Sequence, residues 1–215
     1  MKSRPMLFSA SMVRALLDGS KTQTRRVLNQ ATGPSLSVDC SETGQATLSW
    51  LFGDGPGHPV MEQLKFVQCP YGQPGDQLWV RENFSGPHCM EKTADSPAFP
   101  PSQWPKESPI WYWADDEPTY GDWTRPRPSI HMPRWASRIT LEITRVRVER
   151  LQDISEADAQ TEGCETVCMT PTGDDNGSAI YGPDGYAALW ESINGAGAWA
   201  ANPWVWVIEF KRATQ

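Results

Sequence analysis

Residues 19 to 26 read GSKTQTRR and form the densest polar cluster of the chain. The elements on either side of this segment indicate the fold. The segment follows a stretch whose apolar residues fall on one face of a helix: Met12, Val13, Leu16 and Leu17. Ser9 or Ser11 can cap the start of this helix, and Gly19 is placed to end it. The polar side chains of the segment therefore come directly after a helix C-terminus.

The clearest strand covers residues 138 to 151. Ile139, Leu141 and Ile143 alternate with polar residues, and Val146 and Val148 then alternate with the opposite parity. A change of parity within one strand is typical of a β-bulge, and bulges bend sheets towards barrels.

Other strands and short helices complete the pattern. The turn Gln73 to Asp76 leads into a strand through Leu78 to Val80, and Trp204 to Phe210 is apolar on both faces, as in a buried central strand. Short helices are predicted at Asp153 to Gly163, where Ser155 and Asp158 are spaced as a capping box, and near Tyr186 to Ile193. The pattern predicts an α+β fold: a small, mixed, strongly bent barrel with two or three short helices.

The length of 215 residues suits one domain, and no linker separates two cores. We therefore expect a single domain over residues 1–215 with irregular insertions at about 31–68 and 85–127. The second insertion holds several tryptophans, which predict that it packs against the domain: Trp104, Trp111, Trp113 and Trp123.

Several classes of protein are disfavoured by the sequence. It has no run of 18 apolar residues and no secretory signal pattern, so we expect a cytoplasmic protein that does not bind a membrane. It has no GxGxxG, Walker, HExxH or GxSxG motif. The five cysteines are scattered and suit reduced thiols; Cys164 and Cys168 lack a CxxC pairing, so no metal is expected.

The net charge of −7 conceals a segregation of charge along the chain. Residues 1 to 30 hold six basic side chains against one acid, and residues 124 to 150 hold seven arginines against two acids. Residues 151 to 200 hold nine carboxylates and no Lys or Arg. The basic segments either form one surface for phosphate or pair with carboxylates of other segments, and composition does not decide between them.

The segment 19–26 also carries a family resemblance. Gly19, Lys21 and Arg26 match the GxKxxxxR pattern of ASCH domains, relatives of the RNA-associated PUA fold. Three further elements resemble the family in the same order: the turn Pro74 to Leu78, the segment Leu151 to Glu156, and the last strand Val205 to Lys211. The whole chain, with its long loops and the stretch from Arg127 to Arg138, is similar to ASCH proteins of bacteriophages and prophages. This resemblance implies a PUA-like barrel.

The resemblance also implies an activity, because one smaller family member is an N4-acetylcytidine amidohydrolase. Its lysine, threonine and glutamate fall on Lys21, Thr24 and Glu162, with Glu156 and Asp158 as competitors for the glutamate. The hypothesis is a metal-free, cofactor-free hydrolase of N4-acylated cytosine derivatives. Thr24 would be the nucleophile or orient water, Lys21 the base and Glu162 the proton donor.

Further residues are predicted to bind a modified cytidine nucleoside or an RNA fragment: Arg25, Arg26, Trp79, Arg81, Glu82, His131, Arg134 and Trp135. Tryptophans can stack on a base, with Trp79, Trp113 and Trp135 as the candidates. A structural role for His131 competes with lining a pocket.

Each assignment has a plainer alternative. Lys21 and the arginines can clamp phosphates, Thr24 can bond its own backbone in a turn, and Glu162 can simply end a surface helix. At the level of the whole protein, the alternatives are an RNA or modified-nucleotide binding module without turnover and a nuclease of the same fold.

Overall fold

The computed structural model describes residues 1–31, 36–41, 44–52, 61–91, 99–163 and 183–213. In chain order its strands are β1 Ser3–Leu7, β2 Gln23–Val27, β3 Leu36–Cys40, β4 Gln45–Phe52, β5 Met61–Gln68, β6 Gln77–Arg81, β7 Phe84–Ser85, β8 Trp111–Tyr112, β9 Thr140–Arg150 and β10 Trp204–Arg212. Its α-helices are α1 Ala10–Asp18, α2 Glu156–Thr161 and α3 Pro183–Asn194. The architecture is therefore mixed α+β, as predicted; the closure of a barrel stays a prediction.

Contacts divide the chain into two compact units, each assembled from separate stretches. The first unit comprises Met1–Gly19, Asp76–Glu142 and Arg212–Gln215, and the second comprises Ser20–Gly75 and Ile143–Lys211. The expectation of one domain stays a prediction.

In the first unit, β1 runs parallel to β6 and pairs Ser3 with Gln77 and Leu7 with Arg81. β6 also pairs antiparallel with the first residues of β9. Helix α1 has the predicted caps: the Ser9 side chain accepts from the backbone N of Met12, and Gly19 ends the helix at φ 86°. Such a positive φ favours glycine, which explains why the helix stops before the polar segment.

The predicted second insertion also lies in the first unit. Its described part holds the short pair β7–β8 and several 3₁₀ turns. Trp104 is 3% exposed and meets the ring of Phe84 edge-on at 6.0 Å between centroids. The prediction that Trp104 packs against the domain is therefore confirmed.

In the second unit, β10 lies between β9 and β2 and pairs antiparallel with β2, with Thr24 opposite Ile208. The central residues of β10, Val205 to Ile208, are buried, as predicted from their apolar character on both faces. In β9, burial follows Leu141 and Ile143 and then shifts parity to Val146, again as predicted.

The described residues between 36 and 68 correct one expectation, because they form an antiparallel sheet in the order β3–β4–β5 where an irregular insertion was predicted. Ala46 and Leu48 alternate towards the buried face of this sheet. Leu64 and Phe66 are apolar but exposed. Since both faces carry apolar residues, the period-2 pattern that identifies a strand is hidden.

Helices α2 and α3 also belong to the second unit. Helix α2 is shorter than predicted, because Leu151–Asp153 forms a 3₁₀ turn before it, but Ser155 caps it as expected by accepting from the backbone N of Asp158 at 3.1 Å. Tyr186 and Trp190 of α3 are buried and pack on a core that includes Leu151 and Val205. Within the described residues, no helix is both long and apolar enough to span a membrane.

Candidate active site

Lys21 and Glu162 form a buried ion pair in the second unit. The Nζ of Lys21 donates to the Oε2 of Glu162 at 2.8 Å and to the backbone carbonyl oxygen of Glu162 at 2.6 Å. Each residue is only 2% exposed, although 141 positions separate them in the chain. The structure thus brings together two of the three predicted catalytic residues.

Backbone hydrogen bonds place the two residues side by side. The backbone N of Thr22 donates to the carbonyl of Thr161 at 2.9 Å, and the backbone N of Phe210 donates to the carbonyl of Thr22 at 2.9 Å. Glu162 follows directly on α2 as its C-cap and keeps a right-handed helical backbone. The end of α2 and the start of β2 are therefore linked before any side chain contributes.

Arg25 is the second cation on Glu162. Its Nη1 donates to the Oε1 of Glu162 at 3.0 Å, its Nε to the Oε1 of Glu149 at 3.0 Å, and its Nη2 to the Oδ2 of Asp158 at 3.1 Å. Burial alone would lower the pKa of Arg25, but the charges of Glu162 and Glu149 outweigh burial and raise this pKa. Both carboxylate oxygens of Glu162 therefore accept from cations.

Arg147 extends the same network from β9. Its Nη2 donates to the Oδ2 of Asp158 at 3.0 Å, and its Nε donates to the Oε2 of Glu149 at 3.1 Å. Burial would raise the pKa of Asp158, but the hydrogen bond from Gln23 and the charges of Arg147 and Arg25 together lower it. Asp158, considered in the sequence only as a competitor for Glu162, is therefore a shared acceptor for two arginines.

Thr24 is buried but not joined to the ion pair. Consecutive side chains of a strand point to opposite faces, so Thr24 in β2 points away from the face of Arg25. Arg26, on the same face as Thr24, partly offsets the rise that burial causes in the pKa of Tyr71. No hydrogen bond joins Thr24 to Lys21 or Glu162 in the part of the chain that the structure describes.

The other predicted binding residues belong to the first unit: Trp79, Arg81, Glu82, His131, Arg134 and Trp135. The guanidinium of Arg81 lies 4.6 Å from the centre of the Trp79 ring, and that of Arg134 lies 5.7 Å from it. Trp79 is 7% exposed, so it is not an open platform for a base, which corrects the prediction. His131 is exposed, and Trp135 packs partly buried against a core that includes Phe84.

Glu82 forms hydrogen bonds within the first unit. Arg138 donates from Nε and Nη2 to the two oxygens of Glu82, both at 2.9 Å, and also bonds Asp115. Burial raises the pKa of Glu82, and the hydrogen bonds and charge of Arg138 oppose this rise. The Tyr112 ring lies 4.1 Å from the guanidinium of Arg138. Glu82 and Asp115 therefore both bind Arg138, and both carboxylate oxygens of Glu82 already accept hydrogen bonds.

Sequence reasoning missed Arg147 and Glu149 in the second unit and the partners of Glu82 in the first. A signal was present for the β9 pair, because Arg145, Arg147 and Glu149 occupy every second position after the change of parity. Charges on one face of a strand that is half buried need partners on neighbouring elements. Glu209 on β10 is such a partner, since it hydrogen-bonds Arg147.

The cysteines add no metal site to the described part of the chain. No group of three or more His, Cys, Asp or Glu side chains there is placed to hold a metal ion. Cys164 and Cys168 lie outside the described residues.

Comparison with known proteins found no relative. No protein-family model matches the chain, and neither does any curated protein or solved structure. The resemblance to ASCH domains therefore stays a prediction.

Proposed function

We propose that this protein is a metal-free amidohydrolase that acts on N4-acylated cytosine nucleosides or related modified bases. The proposal includes the finer prediction of a PUA-like, bent ASCH barrel and of a cytoplasmic protein. One observation carries it: Lys21 and Glu162 meet at 2.8 Å with almost no exposure to solvent.

A buried ion pair is expensive to keep for stability alone. Removing two charges from water costs several kcal/mol per ion, and apolar residues of similar volume are often as good or better for folding. A lysine and a glutamate in contact inside a protein are also groups that can serve in acid and base catalysis. These two arguments support a catalytic purpose for the pair.

The proposed chemistry starts with a proton shift. The ammonium of Lys21 passes one proton to the carboxylate of Glu162 along their hydrogen bond, which leaves a neutral amine and a carboxylic acid. The amine removes a proton from water as the water oxygen attacks the acyl carbon. Glu162 then gives its proton to the N4 nitrogen of cytosine as the carbon–nitrogen bond breaks. The products are a carboxylic acid and cytidine, and the ion pair is restored.

Arg25 and Thr24 have different places in this proposal. Arg25 holds the other oxygen of Glu162 at 3.0 Å and is a positioning residue for the carboxylate. Water is the proposed nucleophile because no described hydrogen bond connects Thr24 to Lys21 or Glu162. Activity that survives Thr24→Ala with little change would remove Thr24 from the catalytic set.

The test is the release of cytidine from N4-acetylcytidine, measured by chromatography with and without EDTA. We expect turnover that EDTA does not affect, and a loss of about 10²-fold or more in Lys21→Met and in Glu162→Gln. Lys65→Met, at an exposed position of β5, is the matched control and should retain full activity. Circular dichroism checks the fold of each variant. A wild-type protein that releases no cytidine at high enzyme concentration overturns the proposal.

A further inference from the structure

Two arginines of the first unit lie over one tryptophan ring, and no described carboxylate pairs with either of them. Arg81 and Arg134 lie 4.6 Å and 5.7 Å from the centre of the Trp79 ring. Within the described residues, neither guanidinium has an ion pair; the described hydrogen bond from the Arg134 guanidinium is a long contact of 3.4 Å to the hydroxyl of Thr140. We name these three residues the Arg81–Trp79–Arg134 cluster.

Two other arginines of the same unit are neutralised by carboxylates. Arg4 pairs with Asp76 at 2.9 Å, and Arg138 is held by two carboxylates. Both oxygens of Glu82, the neighbour of Arg81, accept hydrogen bonds from Arg138. Among the described residues, no carboxylate therefore offsets the two positive charges of the cluster.

Arg81 also leaves hydrogen-bonding capacity unused. Its Nε is buried and has no hydrogen-bond partner in the part of the chain that the structure describes. A buried donor without a partner costs about 1–3 kcal/mol. The half-buried side chain is nevertheless held in place by the ring of Trp79. A binding site would explain why the fold accepts this cost, because a ligand would then accept hydrogen bonds from the Arg81 guanidinium.

The geometry points to an oxyanion with several acceptor oxygens. The guanidiniums of Arg81 and Arg134 both lie over the Trp79 ring, at 4.6 Å and 5.7 Å from its centre. A guanidinium presents its donors as a fork that fits two oxygens of a phosphate, and stacking on an aromatic ring reduces the entropy lost on binding. Both guanidiniums lie within about 6 Å of the same ring centre, which keeps two positive charges close to one another.

We propose that the Arg81–Trp79–Arg134 cluster is a binding site for a phosphate group carried by a nucleotide or by a single nucleic-acid strand. Because Trp79 is already covered by the arginines, the contact is to phosphate and not to a base, and it carries no base preference. This site does not depend on the amidohydrolase proposal, since it uses other residues and another readout.

Arg127 distinguishes the two sources of the phosphate. Arg127 forms an isolated β-bridge with Phe84, and Phe84 lies three positions after Arg81 in the chain. The guanidinium of Arg127 lies 5.2 Å from the centre of the Trp104 ring. Its Nε is also buried, and none of the described residues hydrogen-bonds it. A strand bound at the cluster would offer Arg127 a neighbouring phosphate, whereas a mononucleotide would not.

The test measures binding of four probes by titration calorimetry: inorganic phosphate, cytidine, cytidine 5′-monophosphate and a single-stranded ten-nucleotide RNA. We expect the monophosphate to bind more tightly than cytidine. Arg81→Gln and Arg134→Gln should each weaken binding of the monophosphate by about tenfold and lower the salt dependence of RNA binding by about one charge. Arg125→Gln, an exposed arginine of the same unit, is the control and should bind like the wild type.

Each result separates the possibilities. RNA binding that is weakened by Arg127→Gln, with the monophosphate unaffected, identifies a nucleic-acid strand as the source. If Arg127→Gln leaves both RNA and monophosphate affinity unchanged while Arg81→Gln weakens both, the site binds a single phosphate group. Unchanged affinity for every probe in Arg134→Gln, whose exposed side chain makes misfolding no explanation, overturns the proposal.

Discussion

At the scale of single residues, Glu162 holds two cations that the fold has removed from water. Lys21 occupies its Oε2 and Arg25 its Oε1, and all three residues are at most 2% exposed. Removing one partner of a buried ion pair costs about 3–5 kcal/mol, because it leaves an uncompensated charge. We therefore expect Glu162→Leu to lower the free energy of unfolding by about that amount, measured by urea titration.

A double variant tests whether the unpaired lysine causes this loss. Lys21→Met combined with Glu162→Leu removes both charges, so it should be more stable than Glu162→Leu alone. Losses that simply add, within the error of the titration, would mean that the two side chains do not interact energetically.

Asp158 links the stability of the protein to pH. Its pKa is lowered from the ordinary value of 3.8, so it favours folding above that value, and its contribution is lost as the pH falls through the folded pKa. We expect the wild type to be more stable than Asp158→Asn at neutral pH by about 1–3 kcal/mol, the range for a hydrogen-bonded charge. The difference should shrink below about pH 4. A difference in urea midpoint that stays constant down to pH 2.5 would contradict this reasoning.

At the scale of elements, sequence predicted the helices better than the sheets. The caps of α1 and α2 at Ser9, Gly19 and Ser155 are local signals, because a cap involves residues three or four positions apart. The sheet β3–β4–β5 was missed because exposed apolar residues hid its period. Membership in a sheet depends on partners distant in sequence, which a local pattern does not contain.

The candidate site shows the same limit. Lys21 and Glu162 were identified through the family resemblance, and the structure brings them into contact. The partners on β9 depend on which strand lies beside β2 and α2, and spacing along the chain does not contain that information. The predicted role of Trp79 as a stacking platform was wrong because the sequence does not show that arginines cover its ring.

The loop after β7 depends on a close approach at Gly86. A Cβ atom at this position would lie 2.1 Å from the Cζ3 of Trp104, well inside contact distance. We expect Gly86→Ala to displace the Trp104 ring and to cost about 1–3 kcal/mol of unfolding free energy. Gly195→Ala, where a Cβ would meet nothing within 4 Å but φ is +97°, measures the backbone strain alone. An equal or smaller loss for Gly86→Ala would contradict the packing argument.

At the scale of the whole molecule, the segregation of charge along the sequence is partly resolved by pairing. Asp158 and Glu162 come from the acidic segment 151–200, and they bind Lys21, Arg25 and Arg147 from the two basic segments. The plainer alternative, that charges pair across segments, therefore holds for this network. In the first unit, Arg81 and Arg134 have no ion pair among the described residues, and these are the charges that we propose for a phosphate ligand.

The connectivity of the two units predicts how the protein unfolds. The chain passes between the units after residues 19, 75, 142 and 211, and both β9 and β10 contribute residues to each unit. Neither unit is a continuous piece of chain that can fold before the other is synthesised. We therefore expect one cooperative transition, with coincident urea curves from circular dichroism and tryptophan fluorescence.

A core variant tests this cooperativity directly. Leu48 is fully buried in the second unit, and Leu48→Ala should cost about 2–5 kcal/mol. If the units unfold together, native-state hydrogen exchange in β6 of the first unit will accelerate as much as exchange in β10. Phe66→Ala, at an exposed position of the same sheet, is the control and should change neither rate appreciably. Acceleration confined to the second unit would show two independent folding units and would exclude the single domain that the sequence predicts.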